Sequence, residues 1–342
     1  MDTISAARSR NQVIDVARGM AATLAVLGHT LAFSKQAGFL ESVTHLSSPL
    51  FFFLSGIFLS IEVPWLSWFA IKMDTLLKPY VVVLLLLGAY FYCAGNSSIS
   101  QYLVGMVFAK GSTIALLPLW FLPHLFLSLN CAALLLRFGR CLQSERRFGM
   151  VSAVMLLAIA PYAINRFTLS EGLPLSADLL PVSMALIFLG YVFADAARNF
   201  SVNPWIFCLS AVVYLGIVFY GDAKIDMNKR VYGDPLFTPI MIVAAIYLLL
   251  GISSCLVQWH CLAGRMLAWM GVNSLSILLF HFLWLRWLFG MLHHWAHGHV
   301  TVFVVPVFIA CLLLCALTIK IVRQQHWLSL LLMPALKNGK IA

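Results

Sequence analysis

The chain has 342 residues, of which 62% are hydrophobic and 10% are charged, with a net charge of +10 and a mean hydropathy of +0.95. Soluble domains are about 45–50% apolar and about 25% charged, so this composition excludes an ordinary soluble protein and indicates a polytopic membrane protein. The positive charge lies in loops between apolar runs, which is typical of a membrane-topology signal and not of a nucleic-acid interface.

Apolar runs of about 20 residues predict an all-α bundle of about ten membrane-spanning helices, formed by one integral-membrane domain over residues 1–342. In chain order the predicted helices cover residues 13–34, 47–63, 79–95, 118–137, 149–165, 181–197, 204–221, 238–258, 267–290 and 301–322. A connector with Lys72 and Lys78 precedes the third helix, and residues 96–117 are predicted to be re-entrant or interfacial. The loop 222–237 carries charged residues of both signs: Asp222, Lys224, Asp226, Lys229, Arg230 and Asp234. Residues 1–12 are predicted as a terminal segment and 323–342 as an interfacial tail.

The first predicted helix carries Asp15, Arg18 and His29 within its apolar run. Ionisable residues at the centre of a membrane helix cost roughly 2.5–3.5 kcal/mol, so their presence needs a reason. Arg18 and His29 are 11 positions apart, which is about three turns, and both therefore lie on one helix face. At 1.5 Å per residue they are about 16 Å apart along the axis. They cannot contact each other, but they can hold two ends of one long ligand.

Each of these residues also has a structural interpretation. Arg18 could extend toward the membrane surface as an anchor paired with Asp15, three positions earlier. His29 could be a packed histidine bonded to a neighbouring helix. The shared face favours a functional role for both.

The cysteines and the clustered histidines do not indicate a further functional site. The eight cysteines lie mostly in apolar runs or at their ends and form no Cys-x-x-Cys pair, so they are interpreted as small buried residues. Four close histidines are interpreted as a solvated loop in preference to metal ligands: His293, His294, His297 and His299. No metal site is predicted.

Four stretches of the sequence form a recognisable set of motifs. They are residues 14–19 (Ile-Asp-Val-Ala-Arg-Gly) with Gly28 and His29, residues 52–56 (Phe-Phe-Leu-Ser-Gly), residues 119–125 (Leu-Trp-Phe-Leu-Pro-His-Leu), and residues 271–277 (Gly-Val-Asn-Ser-Leu-Ser-Ile) with His281. Through these motifs the sequence resembles the integral-membrane acyltransferase-3 family. Members of this family O-acylate bacterial surface polysaccharides, lipopolysaccharide, exopolysaccharide and some small molecules. The resemblance implies an O-acyltransferase, most simply an O-acetyltransferase, in a bacterial inner membrane.

The sequence departs from the family after the second helix. Many members carry an Arg-x-x-Arg pair there, thought to help bind the acyl donor, whereas this chain has Thr75 and Lys78, with Lys72 nearby. A lysine meets a phosphate as a point charge and cannot form the bidentate fork of an arginine.

Acyl transfer from a thioester to a sugar hydroxyl needs a base for the proton and positive charge for the donor's phosphates. His29 suits the base, while Arg18, Lys72 and Lys78 suit the phosphates of acetyl-coenzyme A, which is a substrate and not a bound cofactor. The acceptor is expected to be a glycan or lipid-linked saccharide that meets the thioester from inside the bilayer or from its far side. Six further residues are expected to line the cavity, with helix packing as their alternative role: Ser55, Trp120, His124, Asn273, Ser274 and His281.

Two other classes of membrane protein stay open at this point. A secondary transporter would also carry ionisable residues within its helices, together with inverted repeats and broken helix pairs. A polysaccharide polymerase or flippase-like protein would usually show long, arginine-rich outside loops. The sequence shows no convincing repeat, and its longest loops are modest and mixed in sign.

The distribution of basic residues predicts the topology. An even number of spans puts both termini on one side, where 15 of the 22 Lys and Arg residues lie, against 7 on the other side. Basic loops stay in the cytoplasm, so both termini and the Arg18 end of the first helix are predicted to be cytoplasmic. Terminal fusions to green fluorescent protein should fluoresce and terminal fusions to alkaline phosphatase should be inactive. Phosphatase activity at either terminus would contradict this topology.

Overall fold

The computed structural model describes residues 11–35, 39–93, 99–114, 116–142, 144–167, 173–221, 223–295, 300–337 and 340–341. In chain order its helices are α1 (Gln12–Phe33), α2 (Phe39–Thr44), α3 (Ser47–Ile57), α4 (Trp65–Lys72), α5 (Lys78–Cys93), α6 (Ile99–Phe108), α7 (Phe121–Cys141), α8 (Glu145–Phe167), α9 (Leu180–Val192), α10 (Ala194–Arg198), α11 (Pro204–Tyr220), α12 (Phe237–Gln258), α13 (Leu262–Val272), α14 (Ser274–Trp295), α15 (Val304–Gln324) and α16 (His326–Leu332). The strands are β1 (Ile225–Asp226), β2 (Val231–Tyr232), β3 (Leu336–Lys337) and β4 (Lys340–Ile341), which pair as two short antiparallel hairpins.

The predicted all-α membrane fold is confirmed. Within the described ranges, seven helices are long and apolar enough to cross a membrane: Gln12–Phe33, Leu117–Cys141, Glu145–Ile164, Pro174–Val192, Phe237–Gln258, Ser274–His293 and Val304–Gln324. Shorter apolar helices are Ser42–Ile57, Ile99–Phe108 and Pro204–Tyr220. The total of about ten spans stays a prediction.

The predicted connector around Lys72 and Lys78 is wrong, because α4 and α5 are joined into one continuous helix by a π turn, Met73–Leu77. In this turn the N–H of Lys78 donates to the carbonyl of Met73, five residues earlier. The Thr75 hydroxyl donates to the Ile71 carbonyl at 2.7 Å. Pro79 follows, and a proline cannot supply the N–H that a regular helix would pair with the carbonyl four residues earlier. Inserted turns of this kind often occur at functional sites.

Two other boundaries differ from the predictions. The single helix predicted over residues 267–290 is broken at Asn273, so that α13 and α14 are separate. The Asn273 side chain donates to the Trp269 carbonyl at 2.7 Å and accepts from Arg323 at 2.6 Å, which holds the break in place. The single helix predicted over residues 181–197 is likewise divided at Phe193, into α9 and α10. Residues 96–117, predicted to be re-entrant or interfacial, contain the helix α6.

Helix α1 lies in the middle of the bundle, packed against α3, α12, α13 and α14. Its closest crossing is with α13, where two glycines let the backbones meet. A Cβ on Gly19 would lie 1.9 Å from the Leu267 carbonyl oxygen, and a Cβ on Gly271 would lie 1.8 Å from the Asp15 carbonyl oxygen. Small residues permit such close approach between membrane helices. This crossing therefore fixes where α1 directs its ionisable side chains.

The predicted polar loop 222–237 is a short hairpin between α11 and α12. In it β1 pairs antiparallel with β2, with Ile225 opposite Tyr232 and Asp226 opposite Val231. Both Ile225 and Tyr232 are buried, so the hairpin is packed onto the bundle. At the other end of the chain, α16 packs against α5.

We expect Gly271→Ala to destabilise the protein, because backbone atoms of α1 occupy the space that the new methyl group needs. Overpacking of this kind typically costs about 1–3 kcal/mol. Gly216→Ala is the matched control, since a Cβ there meets nothing within 4 Å. Thermal unfolding of the detergent-solubilised proteins should show a lower midpoint for Gly271→Ala alone, and equal midpoints would contradict the close crossing.

Candidate functional site

A first cavity lies at the Arg18 end of α1 and is called the Arg18 cavity. Its volume is about 220 Å³, and helices α1, α3, α4, α7 and α14 contribute to its wall. It brings together four of the residues predicted from the sequence, Arg18, Ser55, Lys72 and Ser274. Apolar side chains of α7 complete it.

Two cations converge on this cavity. The Arg18 guanidinium lies 4.2 Å from the centre of the Phe58 ring, and the Lys72 ammonium lies 4.3 Å from the centre of the Trp68 ring. Lys72 belongs to α4, outside the seven candidate spans. Its burial and, secondarily, the nearby Arg18 guanidinium lower the pKa of Lys72 to about 8. Two like charges around one small cavity favour an anionic ligand, which would relieve their repulsion.

A second cavity lies at the other end of α1 and is called the His29 cavity. Its volume is about 160 Å³. Its polar lining comes from α1, α2, α3, a residue between α2 and α3, and the hairpin of β1 and β2: His29, Thr44, His45, Ser47, Ser48, Asp226, Asn228 and Lys229. Trp120, predicted as a cavity residue, lies in its wall.

His29 packs against a second histidine. The ring centres of His29 and His281 are 5.4 Å apart, and the edge of Phe282 meets His29 at 5.5 Å between ring centres. His281 is fully buried, and its Nδ1 donates to the Ile277 carbonyl at 2.8 Å. Because Nδ1 carries the proton, Nε2 of the neutral ring is the acceptor, and it has no hydrogen-bond partner among the described residues. The pair therefore offers unused proton-accepting capacity beside the cavity.

The two cavities lie along the same helix faces. On α1, Arg18 borders one cavity and both Ala25 and His29 border the other, at spacings of seven and four residues. On α3, Ser48 borders the His29 cavity and Ser55 borders the Arg18 cavity, seven residues apart. Positions seven apart are two turns along one face. Because α1 is one unbroken helix, the predicted separation of about 16 Å along its axis between Arg18 and His29 holds in the structure.

Three predicted cavity residues do not border either cavity: His281, which packs against His29 as described above, His124 and Asn273. His124 is fully buried; its Nδ1 donates to the Leu175 carbonyl at 3.3 Å, and its ring stacks on Trp120 at 5.8 Å. Asn273 holds the break between α13 and α14, as described above. Both arrangements match the packing alternative for these residues.

Lys78 is separated from the Arg18 cavity by the π turn. Its ammonium group donates to the Asp74 carboxylate at 2.6 Å and to the Met333 carbonyl at 2.7 Å. The second oxygen of Asp74 accepts from the Ala335 N–H at 2.7 Å. Lys78 and Asp74 thus fasten the segment that follows α16. Asp15 is buried where α1 crosses α13.

Sequence reasoning did not single out His45, Asp226 or Lys229 as site residues. The sequence shows that the loop 222–237 is charged. Its aspartate and lysine three positions apart were the only pattern that could have indicated a site there. That this loop turns over His29 depends on how α11 and α12 pack, which the sequence pattern does not show. Among the described residues, no group of three His, Cys, Asp or Glu side chains could hold a metal ion. His297 and His299 lie outside the described ranges.

The comparisons with known proteins agree with the resemblance found in the motifs. The profile of acyltransferase family 3, described as an acyltransferase domain, matches residues 11–320. No curated protein and no solved structure matches the chain.

We expect the Arg18 cavity to bind coenzyme A in a pH-dependent way. Lys72 is charged below pH 8 and neutral above it, and a polyanion prefers the charged form, so affinity should fall as the pH rises through about 8. Lys72→Met should weaken binding by roughly 10- to 150-fold and remove this pH dependence. Thermal stabilisation by coenzyme A between pH 7 and pH 9 measures both effects.

Two lysine variants serve as comparisons. Lys320→Met changes an exposed lysine on α15 and should leave the stabilisation unchanged. Lys78→Met should lower the unfolding midpoint, because the substitution removes two hydrogen bonds. If Lys78 contacts the donor as predicted from the sequence, the same substitution should also weaken coenzyme A binding. A normal pH dependence in Lys72→Met would contradict the assignment of Lys72.

Proposed function

Because the chain belongs to the acyltransferase-3 family, we propose that this membrane acyltransferase moves an acetyl group from acetyl-coenzyme A to a hydroxyl of a surface or lipid-linked polysaccharide. The observation that supports the donor and acceptor is the pair of cavities along one face of α1. One is cationic, at Arg18, and the other contains a histidine among hydroxyl, amide and carboxylate groups. Membership of an acyltransferase family favours this reaction over transport or polymerisation.

The donor is proposed to enter at the Arg18 cavity. Arg18 and Lys72 meet its phosphates, and the guanidinium can do so through two parallel hydrogen bonds. The pantetheine arm is long and largely extended, which fits the separation of about 16 Å between the levels of Arg18 and His29. Between the cavities the arm would pass Phe51 and Phe121, whose ring centres are 5.8 Å apart. The thioester then lies beside His29.

The chemistry at His29 is proposed as direct transfer. His29 takes the proton of the acceptor hydroxyl as its oxygen attacks the thioester carbonyl carbon. The carbon–sulfur bond breaks, the thiolate of coenzyme A leaves, and the proton on His29 passes to that thiolate. The Ser47 and Ser48 hydroxyls border the same cavity and are suited to donate to the developing oxyanion. The His281 ring packs against His29, with the two ring centres 5.4 Å apart.

The proposed setting is a bacterial inner membrane with both termini in the cytoplasm. In that orientation the Arg18 cavity faces the cytoplasmic supply of acetyl-coenzyme A. The His29 cavity then lies toward the far side, where the acceptor saccharide meets it. The bilayer supplies the surroundings in which a lipid-linked acceptor would diffuse to the site.

We expect His29→Ala to reduce acetyl transfer by roughly 100- to 10,000-fold, since a positioned general base contributes about that much. The measurement is mass spectrometry of surface glycans from cells that lack the gene and carry either the wild type or the variant. Coenzyme A should still stabilise the variant, because the Arg18 cavity is untouched. His326→Ala, at an exposed histidine of α16, is the control and should acetylate normally. Full acetylation by His29→Ala would refute the assignment of the base.

A further inference from the structure

The turn between β1 and β2 forms one wall of the His29 cavity through Asp226, Met227, Asn228 and Lys229. The backbone N–H of Lys229 donates to Oδ1 of Asp226 at 3.0 Å, which closes the turn. The other oxygen, Oδ2, lies 3.4 Å from the Lys229 ammonium nitrogen and 3.6 Å from Nε2 of His45. A carboxylate acceptor and an ammonium donor therefore stand side by side in the cavity that holds His29.

The turn is held in place by a buried ion pair. Arg230 Nε donates to Asp178 at 3.0 Å, and these side chains are only 8% and 1% exposed. The same guanidinium donates to the Asn228 carbonyl at 2.9 Å and to the Ser176 hydroxyl at 2.8 Å. Arg230 itself has a φ of 58°, an uncommon conformation for a residue other than glycine. A surface turn with this much internal bonding is built to hold its side chains in a fixed arrangement.

Exposure differs along the turn in the way that a recognition surface requires. The Asp226 side chain is 13% exposed, against 60% for Lys229 and 30% for His45. The carboxylate is thus shielded from bulk water, which strengthens its hydrogen bonds, while the Lys229 side chain is largely exposed. Asn228 completes the wall, with its Oδ1 against Gly111: a Cβ on Gly111 would lie 2.0 Å from it.

The geometry points to this turn as the element that recognises the acceptor. Asp226 accepts a hydrogen bond from one hydroxyl of a saccharide ring, and Lys229 donates to the neighbouring hydroxyl. A further hydroxyl of the same ring then lies beside His29. His45 lies beside the same carboxylate oxygen, with its Nε2 at 3.6 Å. This inference rests on the proposed function, because it names the residues that select the acceptor of that reaction.

The chemical class follows from the groups present. A hydroxyl both donates and accepts, so two adjacent hydroxyls satisfy a carboxylate and an ammonium together. A site that forms a hydrogen bond to a substrate hydroxyl discriminates strongly against an analogue without that hydroxyl. The reason is that the buried polar group of the protein would be left without a partner. The turn therefore selects a saccharide with a vicinal diol.

The test uses membranes containing the full-length protein, labelled acetyl-coenzyme A, and four probes as acceptors: the methyl glycosides of glucose, galactose, mannose and rhamnose. Asp226→Asn keeps the Oδ1 that closes the turn but loses the charge. It should raise the KM for the best glycoside by about 10- to 150-fold and leave the KM for acetyl-coenzyme A unchanged. Asp234→Asn is the matched control, because Oδ1 of Asp234 also accepts backbone N–H groups, from Leu236 and Phe237, but lies outside the cavity.

Two further variants distinguish a loss of acceptor recognition from a loss of folding. Lys229→Met changes an exposed side chain and should also raise the glycoside KM, whereas Lys320→Met should not. Gly111→Ala should alter the preference among the four glycosides by displacing Asn228, whereas Gly216→Ala should not.

The outcomes separate the inference from the proposed function. Wild-type transfer with unchanged glycoside KM in Asp226→Asn and Lys229→Met would overturn the role of the turn and leave the acetyltransferase standing. A rise in the KM for acetyl-coenzyme A instead would place the turn on the donor and also overturn the inference. If the wild-type protein binds coenzyme A but acetylates none of the glycosides, recognition of a single saccharide ring by the turn is overturned, whereas the proposed function is decided separately by the mass spectrometry of surface glycans.

Discussion

The close crossing of α1 and α13 is the contact on which the arrangement of the site depends. With a glycine on each helix, Gly19 and Gly271, the two backbones meet without intervening side chains. This leaves α1 no freedom to rotate, so its polar face is directed toward α3 and α14. Charged groups are costly in hydrocarbon, and a fixed rotation is what keeps Arg18 and His29 inside the protein. The two cavities are the space that this packing leaves beside that face.

Much of the fold and the centre of the site could be predicted from the sequence, because both depend on periodicity. A continuous apolar run defined α1 nearly to the residue, and a spacing of 11 placed Arg18 and His29 on one face. The structure brings the predicted residues Ser55, Lys72 and Ser274 together around Arg18, and it places His281 beside His29. These positions lie on regular helices, where the spacing between two residues in the sequence fixes the angle between their side chains around the helix axis.

The parts that could not be predicted depend on irregular backbone. His124 and Asn273 belong to motifs near the site, yet one is packed behind Trp120 and the other holds a helix break. The turn with Asp226 reaches His29 through long-range packing, for which a charge pattern gives no direction. The sequence pattern predicts a connector around Lys72 and Lys78. A π turn has no simple sequence signature. Only the structure therefore shows that Lys72 lines a cavity while Lys78 pairs with Asp74.

That π turn also restricts how the chain length can change. The segment Met73–Leu77 holds one residue more than a regular helical turn would need. Deleting one residue there would restore regular helix and rotate everything before it by about 100° relative to α5. Lys72 would then leave the cavity wall, although its distance along the sequence from every motif would scarcely change. Alignments of related chains should therefore tolerate substitutions in this segment more readily than gaps, and a one-residue gap at this point would identify relatives in which this lysine does not reach the cavity.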